Sequence, residues 1–318
     1  DQDHDRRDWR LPLVATAEAS MCSATSRLAA EPLPGTAPLA RAWLAIEQHG
    51  PFGHDALRQS HFPREIADQL LAAIADTAIR PALIRPVGRH ADRHRHTTRR
   101  QVFLASSIPG REGLVSAAIE DARELLTIDF VALSRGDLAT AWPRAVPHNR
   151  PLLLVCTHSK RDLCCAMYGR PLAAGLASNP NYAQAVWETS HLGGHRFAPT
   201  AVQLPHGWVH GRLDHSTAAA VLDGAMTSPE TVPIGTARGR SALTGPAQAA
   251  DLAVRGALHL MGIADTDVTE IDDQTFEVLT PGGRRTLVDV TSVDLDFPRL
   301  ESCGGTPKIG RVFKTTIL

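Results

Sequence analysis

The run Pro151-Leu-Leu-Leu-Val-Cys156 constrains this chain more than any other segment. Six apolar residues without alternation read as a strand buried on both faces, the pattern of a central strand in an α/β sheet. It ends in a thiol, Cys156, with Cys164 and Cys165 shortly after. A second run, Ala185-Val-Trp-Glu-Thr-Ser190, reads as a strand that leads straight into His191-Leu-Gly-Gly-His195. Gly193 and Gly194 disfavour a helix between the two histidines and predict a tight loop.

Thiols and imidazoles on neighbouring loops make a metal site of mixed softness. It suits either Zn²⁺ or a [2Fe–2S] cluster with two histidines on one iron. Spacing does not choose between Cys164 and Cys165; adjacent side chains diverge, so one of the two serves a given metal. Cationic neighbours such as His158 and Arg161 favour thiolate over thiol. Cys156-Thr-His158 resembles half of a Rieske pair, but the histidine loop has no cysteine to complete it. His158, Arg161 and Asp162 are therefore expected to support the ligands rather than join them.

The remaining features mostly exclude. Five cysteines, an odd number with three packed together, are a poor disulfide framework and point to a reducing, cytoplasmic compartment. Cys22 and Cys303 have no sequence neighbours of their kind and read as buried or free. The formal net charge of −1 gives no global field for nucleic acid. No apolar run approaches the ~20 residues of a membrane span, and the first residues lack the apolar core of a secretory signal. Nucleotide-binding glycine motifs, a nucleophile elbow and a Cys-x-x-Cys pair are absent. The basic run Arg89 to Arg100 reads as a solvated loop.

The pattern along the chain predicts an α/β protein in four parts. Residues 1–40 are irregular. Residues 41–146 carry a β-α-β-β domain, itself open to a thioredoxin-like reading. Residues 147–230 show a β-α-β-β-β-α order, with ligands on loops after strands, that fits a thioredoxin-like layer fold. Residues 231–318 form an extension: a helix from Pro246 to Met261, then strands Asp267–Leu279 and Arg284–Val293 joined by Thr280-Pro-Gly-Gly283. The two β-α-β-β stretches suggest a duplication, although their sequences do not align.

Three stretches carry a family resemblance: Cys156-Thr-His158-Ser-Lys-Arg161-Asp162…Cys165, Trp187-Glu-Thr-Ser-His191-Leu-Gly-Gly-His195-Arg-Phe-Ala, and Pro205-His-Gly-Trp…Gly211-Arg212-Leu. With Cys22-Ser-Ala, Glu31-Pro-Leu-Pro-Gly-Thr-Ala and Trp43-Leu…Glu47, they resemble the sucrase/ferredoxin-like family from about residue 20 to 225. That family includes thioredoxin-like ferredoxins with a bis-histidine [2Fe–2S] cluster. The resemblance implies Cys156, Cys165, His191 and His195 as ligands, with Cys164 as an alternate because it stands directly beside Cys165. Two neutral imidazoles in place of two thiolates remove negative charge, so the implied potential lies in the Rieske-like range of about −150 to +300 mV. The expected function is a one-electron carrier serving partner redox proteins rather than an enzyme with its own substrate. A structural Cys₂His₂ zinc protein and a thiol oxidoreductase using Cys164 or Cys165 are the alternatives.

Overall fold

The computed structural model describes residues 20–88, 99–227 and 229–318, so most of the basic run from Arg89 lies outside the described residues. After a short helix, α1 (Cys22–Leu28), the chain lays down β1 (Ala42–Glu47), α2 (Ala56–Gln59), α3 (Arg64–Ala73), β2 (Ile79–Pro86), β3 (Arg100–Ser106) and β4 (Gly113–Ile119). Two short helices, α4 (Phe130–Ser134) and α5 (Leu138–Ala141), lead to an edge strand, β5 (Val146–Pro147). The order then recurs as β6 (Leu152–Cys156), α6 (Leu163–Ala177), β7 (Val186–Thr189), β8 (Ala201–Leu204), β9 (Trp208–His210), α7 (His215–Met226) and β10 (Ala237–Arg240).

All ten strands belong to one sheet, ordered β10-β9-β8-β6-β7-β2-β1-β3-β4-β5. Each half places a parallel pair innermost, β1 with β2 and β6 with β7, then adds antiparallel neighbours outward. The halves β2-β1-β3-β4-β5 and β7-β6-β8-β9-β10 thus share one topology. They join through antiparallel β2 and β7, with Ile84 opposite Thr189 and Arg85 opposite Glu188. The expected central strand sits fully buried, all five of its residues inside.

Local chemistry explains the elements. α3 follows Pro63 and buries Ile66, Ala67 and Leu70 at helical spacing. α6 is longer than the sequence pattern of Gly169 to Ser178 indicates. The Asp162 carboxylate accepts the Cys164 N–H and caps the helix, so both cysteines lie in its first turn. α7 begins with a capping box between Asp214 and Thr217.

The C-terminal part contains α8 (Gly245–Leu258) against a four-stranded antiparallel sheet ordered β11 (Asp267–Glu270), β12 (Thr275–Thr280), β13 (Arg284–Asp294) and β16 (Arg311–Ile317). The long strand expected over Asp267–Leu279 is two strands, β11 (Asp267–Glu270) and β12 (Thr275–Thr280). Between them the Asp272 side chain accepts the Gln274 and Thr275 N–H groups and turns the chain. β13 (Arg284–Asp294) pairs with β16 (Arg311–Ile317), a strand the hairpin expectation lacked because few of its side chains are buried. The intervening β14 (Arg299–Leu300) and β15 (Pro307–Lys308) return to α1, where Leu300 N–H donates to the Thr25 hydroxyl. Among the described residues, no helix is long and apolar enough to cross a membrane.

The seam between the half-sheets contains a buried ion pair. Arg85 donates to Glu188 Oε2 at 2.8 and 2.7 Å and to the Gly50 carbonyl at 2.8 Å, and Thr157 adds a hydroxyl donor to the same oxygen. Glu188→Ala strands the guanidinium without its counter-charge and is expected to cost about 3–5 kcal/mol. Urea unfolding should show a lowered midpoint with an unchanged slope.

Candidate metal centre

Cys156 ends β6 and Cys165 projects back toward it from the first turn of α6. Contact is close because α6 crosses the strand end at Gly169, where an added Cβ would lie 2.1 Å from the Cys156 carbonyl oxygen. The Cys165 thiol donates to the Cys156 sulfur, which the His191 side chain and the His158 N–H also reach. Together these hold Cys156 well below the usual thiol range, against its burial. Cys165 is pushed well above that range by the same bond and by burial. Within the pair Cys156 is thus the favoured thiolate and Cys165 the proton donor.

The histidine loop follows β7. The His191 N–H donates to His158 Nδ1 at 3.1 Å, and His158 Nε2 lies 2.6 Å from the Gly53 carbonyl. That network assigns the proton to His158 Nε2, and burial keeps the ring neutral by lowering its pKa. His158 thus fixes the start of the histidine loop. Gly193 and Gly194 take φ of +89° and +69° and fold the loop back. Their turn brings the His191 and His195 rings to 5.2 Å between centroids. His195 Nε2 faces Asp162 Oδ2 at 3.6 Å. Burial lowers the His195 pKa, opposed by Asp162.

The Nδ1 atoms of both His191 and His195 are buried and without a hydrogen-bond partner. A buried imidazole nitrogen in that state carries a desolvation cost that a metal ligand bond removes. The four expected ligands are thus neighbours, with a hydrogen-bonded thiol pair on one side and two imidazoles whose Nδ1 atoms lack partners on the other. This chemistry fits a metal group. Arg161, expected beside the ligands, is exposed. With Lys160, Met21, Leu163 and Met167 it lines a cleft of about 540 Å³ over the cysteine loop.

A second group sits next to the first, and sequence reasoning missed it. Cys22, Asp162, Cys164 and Cys303 present ligand atoms all within 4.8 Å of one another, the one such group among the described residues. This corrects the expectation that Cys22 and Cys303 stand alone. Consecutive helical side chains point about 100° apart, so while Cys165 turns to Cys156, Cys164 turns to α1 and the C-terminal segment. The Cys22 and Cys164 sulfurs lie 3.6 Å apart, and Cys164 and Cys303 3.1 Å. The Cys164 thiol is pulled down to about 6 by hydrogen bonds from Cys22 first, then Ser23 and Cys303. Cys303 is pushed up to about 12, by burial and then by Asp162. The group is buried, thiol-rich and able to hold a metal ion. No local signal announces it, because its three cysteines come from segments some 140 residues apart in sequence. Only the surplus of three cysteines beyond the first pair hinted at a second use.

These features define an α/β protein with a thiol-rich centre at the end of a central strand of its sheet. The chain belongs to the sucrase/ferredoxin-like family, whose model matches residues 33–239, well over half of its length. That span includes Cys156, Cys164, Cys165, His191 and His195 and excludes Cys22 and Cys303. No curated protein and no solved structure matches the chain.

The fold of the histidine loop is testable by itself. A Cβ at Gly194 would lie 2.3 Å from Nη2 of the buried Arg238, in a backbone conformation that side chains disfavour. Gly194→Ala should lower stability by roughly 1–3 kcal/mol, read as a lower Tm in thermal unfolding.

Proposed function

We propose that the protein carries single electrons on a [2Fe–2S] cluster held by Cys156, Cys165, His191 and His195. The observation that carries this reading is the pair of buried, unpartnered imidazole Nδ1 atoms beside the hydrogen-bonded Cys156–Cys165 pair. A group bound there supplies one-electron chemistry at about −150 to +300 mV, the range of bis-histidine clusters.

The chain's own residues have distinct roles in this reading. Cys165 surrenders its proton on binding. Asp162, held ionised by its donors, orients the His195 ring through Nε2 and keeps a proton there. His158 fixes the backbone at His191. Cys156 and Cys165 are fully enclosed while His191 and His195 are half-buried, so the electron's route to a partner is through the histidine edge. Exposed Leu163 and Met167 beside Lys160 and Arg161 offer a partly apolar, cationic rim suited to an acidic partner protein. Cys164 and Cys165 are buried away from solvent, a poor placement for a nucleophile that must reach a disulfide substrate.

The test is protein purified without oxygen, with iron, sulfide, zinc and the visible spectrum measured on one sample. About two irons and two sulfides per chain, with a colour that bleaches on reduction, are expected. Cys165→Ser should lose or perturb that spectrum. His195→Cys, if it keeps a cluster, should shift the potential down toward the about −400 mV of all-thiolate clusters. Iron content unchanged when all four ligands are replaced would overturn the reading.

A further inference from the structure

We propose that Cys22, Cys164, Cys303 and Asp162 form a second, mononuclear metal site of the Zn²⁺ type, separate from the Cys156/Cys165/His191/His195 set. Geometry carries it. The three sulfur pairs lie 3.6, 3.1 and 3.8 Å apart. Asp162 Oδ1 lies 3.4 Å from the Cys22 sulfur and 3.0 Å from that of Cys303. A tetrahedral ion with metal–sulfur bonds of about 2.3 Å and a metal–oxygen bond of about 2.0 Å spaces its sulfurs about 3.8 Å apart and sulfur from oxygen about 3.5 Å. The observed edges are within several tenths of an ångström of that figure. A cluster with bridging sulfides needs its cysteines spread wider, so the group fits one ion.

The chemistry agrees. Three thiolates select a borderline-to-soft ion over Mg²⁺ or Ca²⁺. Four protein donors close the coordination shell, which marks a structural rather than catalytic ion. The other carboxylate oxygen, Oδ2, accepts the Cys303 N–H at 2.9 Å and the Ser302 hydroxyl at 3.0 Å, which aims Oδ1 at the sulfurs. The Ser23 hydroxyl lies 3.1 Å from the Cys164 sulfur and offsets some of its charge. Binding displaces the remaining thiol protons to solvent and changes no oxidation state. A disulfide from any two of the three cysteines would leave the third sulfur in the same buried cluster, whereas one ion satisfies all three.

The ligands come from α1, the start of α6 and the β14–β15 loop. The ion would therefore staple α1 and the β14–β15 loop onto the first turn of α6, which also carries Cys165. It stands whether or not the neighbouring set holds iron, and the test separates the two.

Zinc and iron are measured on the full-length wild-type protein, on Cys303→Ser, and on a His191→Ala/His195→Ala double variant. Cys303 is the least buried of the four donors, so its replacement disturbs the core least. About one zinc per chain is expected in the wild type and the double histidine variant, with at least a tenfold loss of zinc retention against a chelator in Cys303→Ser. Iron lost in the double variant while zinc stays separates this site from the cluster reading. If Cys303→Ser fails to fold, Co²⁺ added to the metal-depleted His191→Ala/His195→Ala variant reports instead. Intense tetrahedral bands in the visible and a thiolate-to-cobalt band in the near ultraviolet are expected. Zinc kept in Cys303→Ser but lost in the double variant would overturn the proposal. So would a zinc-free protein, purified without oxygen, whose peptide masses show a Cys164–Cys303 disulfide.

Discussion

The buried carboxylate of Asp162 is the point on which the centre depends. It caps α6 through the Cys164 N–H, accepts from the Cys303 N–H and the Ser302 hydroxyl, and faces His195 Nε2. Burial alone would raise its pKa, but the Cys303 thiol and N–H, His195 and Ser302 outweigh that and hold it below the usual carboxylate range. Remaining ionised, it fixes where α6 starts. That start sets the two adjacent cysteines on opposite sides of the first turn, one toward the histidine loop and one toward α1 and the β14–β15 loop. A neutral side chain of the same size would leave several of these donors weakly satisfied at once.

The sheet supplies the frame. Two half-sheets of identical strand order meet at β2 and β7, and the seam is pinned by Arg85 and Glu188 inside the protein. Only the second half ends its central strand in a thiol; β1 ends in Glu47. The repeated topology thus carries two potential sites at strand ends and places cysteine chemistry at one. The first half contributes through contact: Phe52 meets the His158 ring edge-on and the Gly53 carbonyl holds its Nε2.

A second buried carboxylate repeats the logic of Asp162. Glu31 is fully enclosed and pairs with Arg196 beside the histidine loop and with Arg299 from β14, while Ser26 of α1 donates to it. Arg238 adds donors from β10 to the Gly193 carbonyl and to Thr36. Buried charges of this kind contribute little net stability over an apolar core. What they do is fix geometry: the N-terminal segment, the histidine loop and the C-terminal return each have one permitted placement around the thiols.

Much of this was legible in the sequence. The unbroken apolar run before Cys156, the strand leading into His191 and the paired glycines fixed the α/β class and set Cys156 and the two histidines on neighbouring loops, while the choice of Cys165 over Cys164 came from the family resemblance alone. Those signals are local: hydrophobic periodicity and backbone permissiveness act over a few residues. The strand split at Asp272, the early start of α6 and the fourth C-terminal strand were less visible, because side-chain capping and edge pairing leave weak periodic traces. The meeting of Cys22, Cys164 and Cys303 left none. Contacts between residues some 140 positions apart are decided by how the sheet folds the chain and by which buried charges must find partners. The sequence determined which donors the protein owns; only the tertiary structure decided which of them share a space.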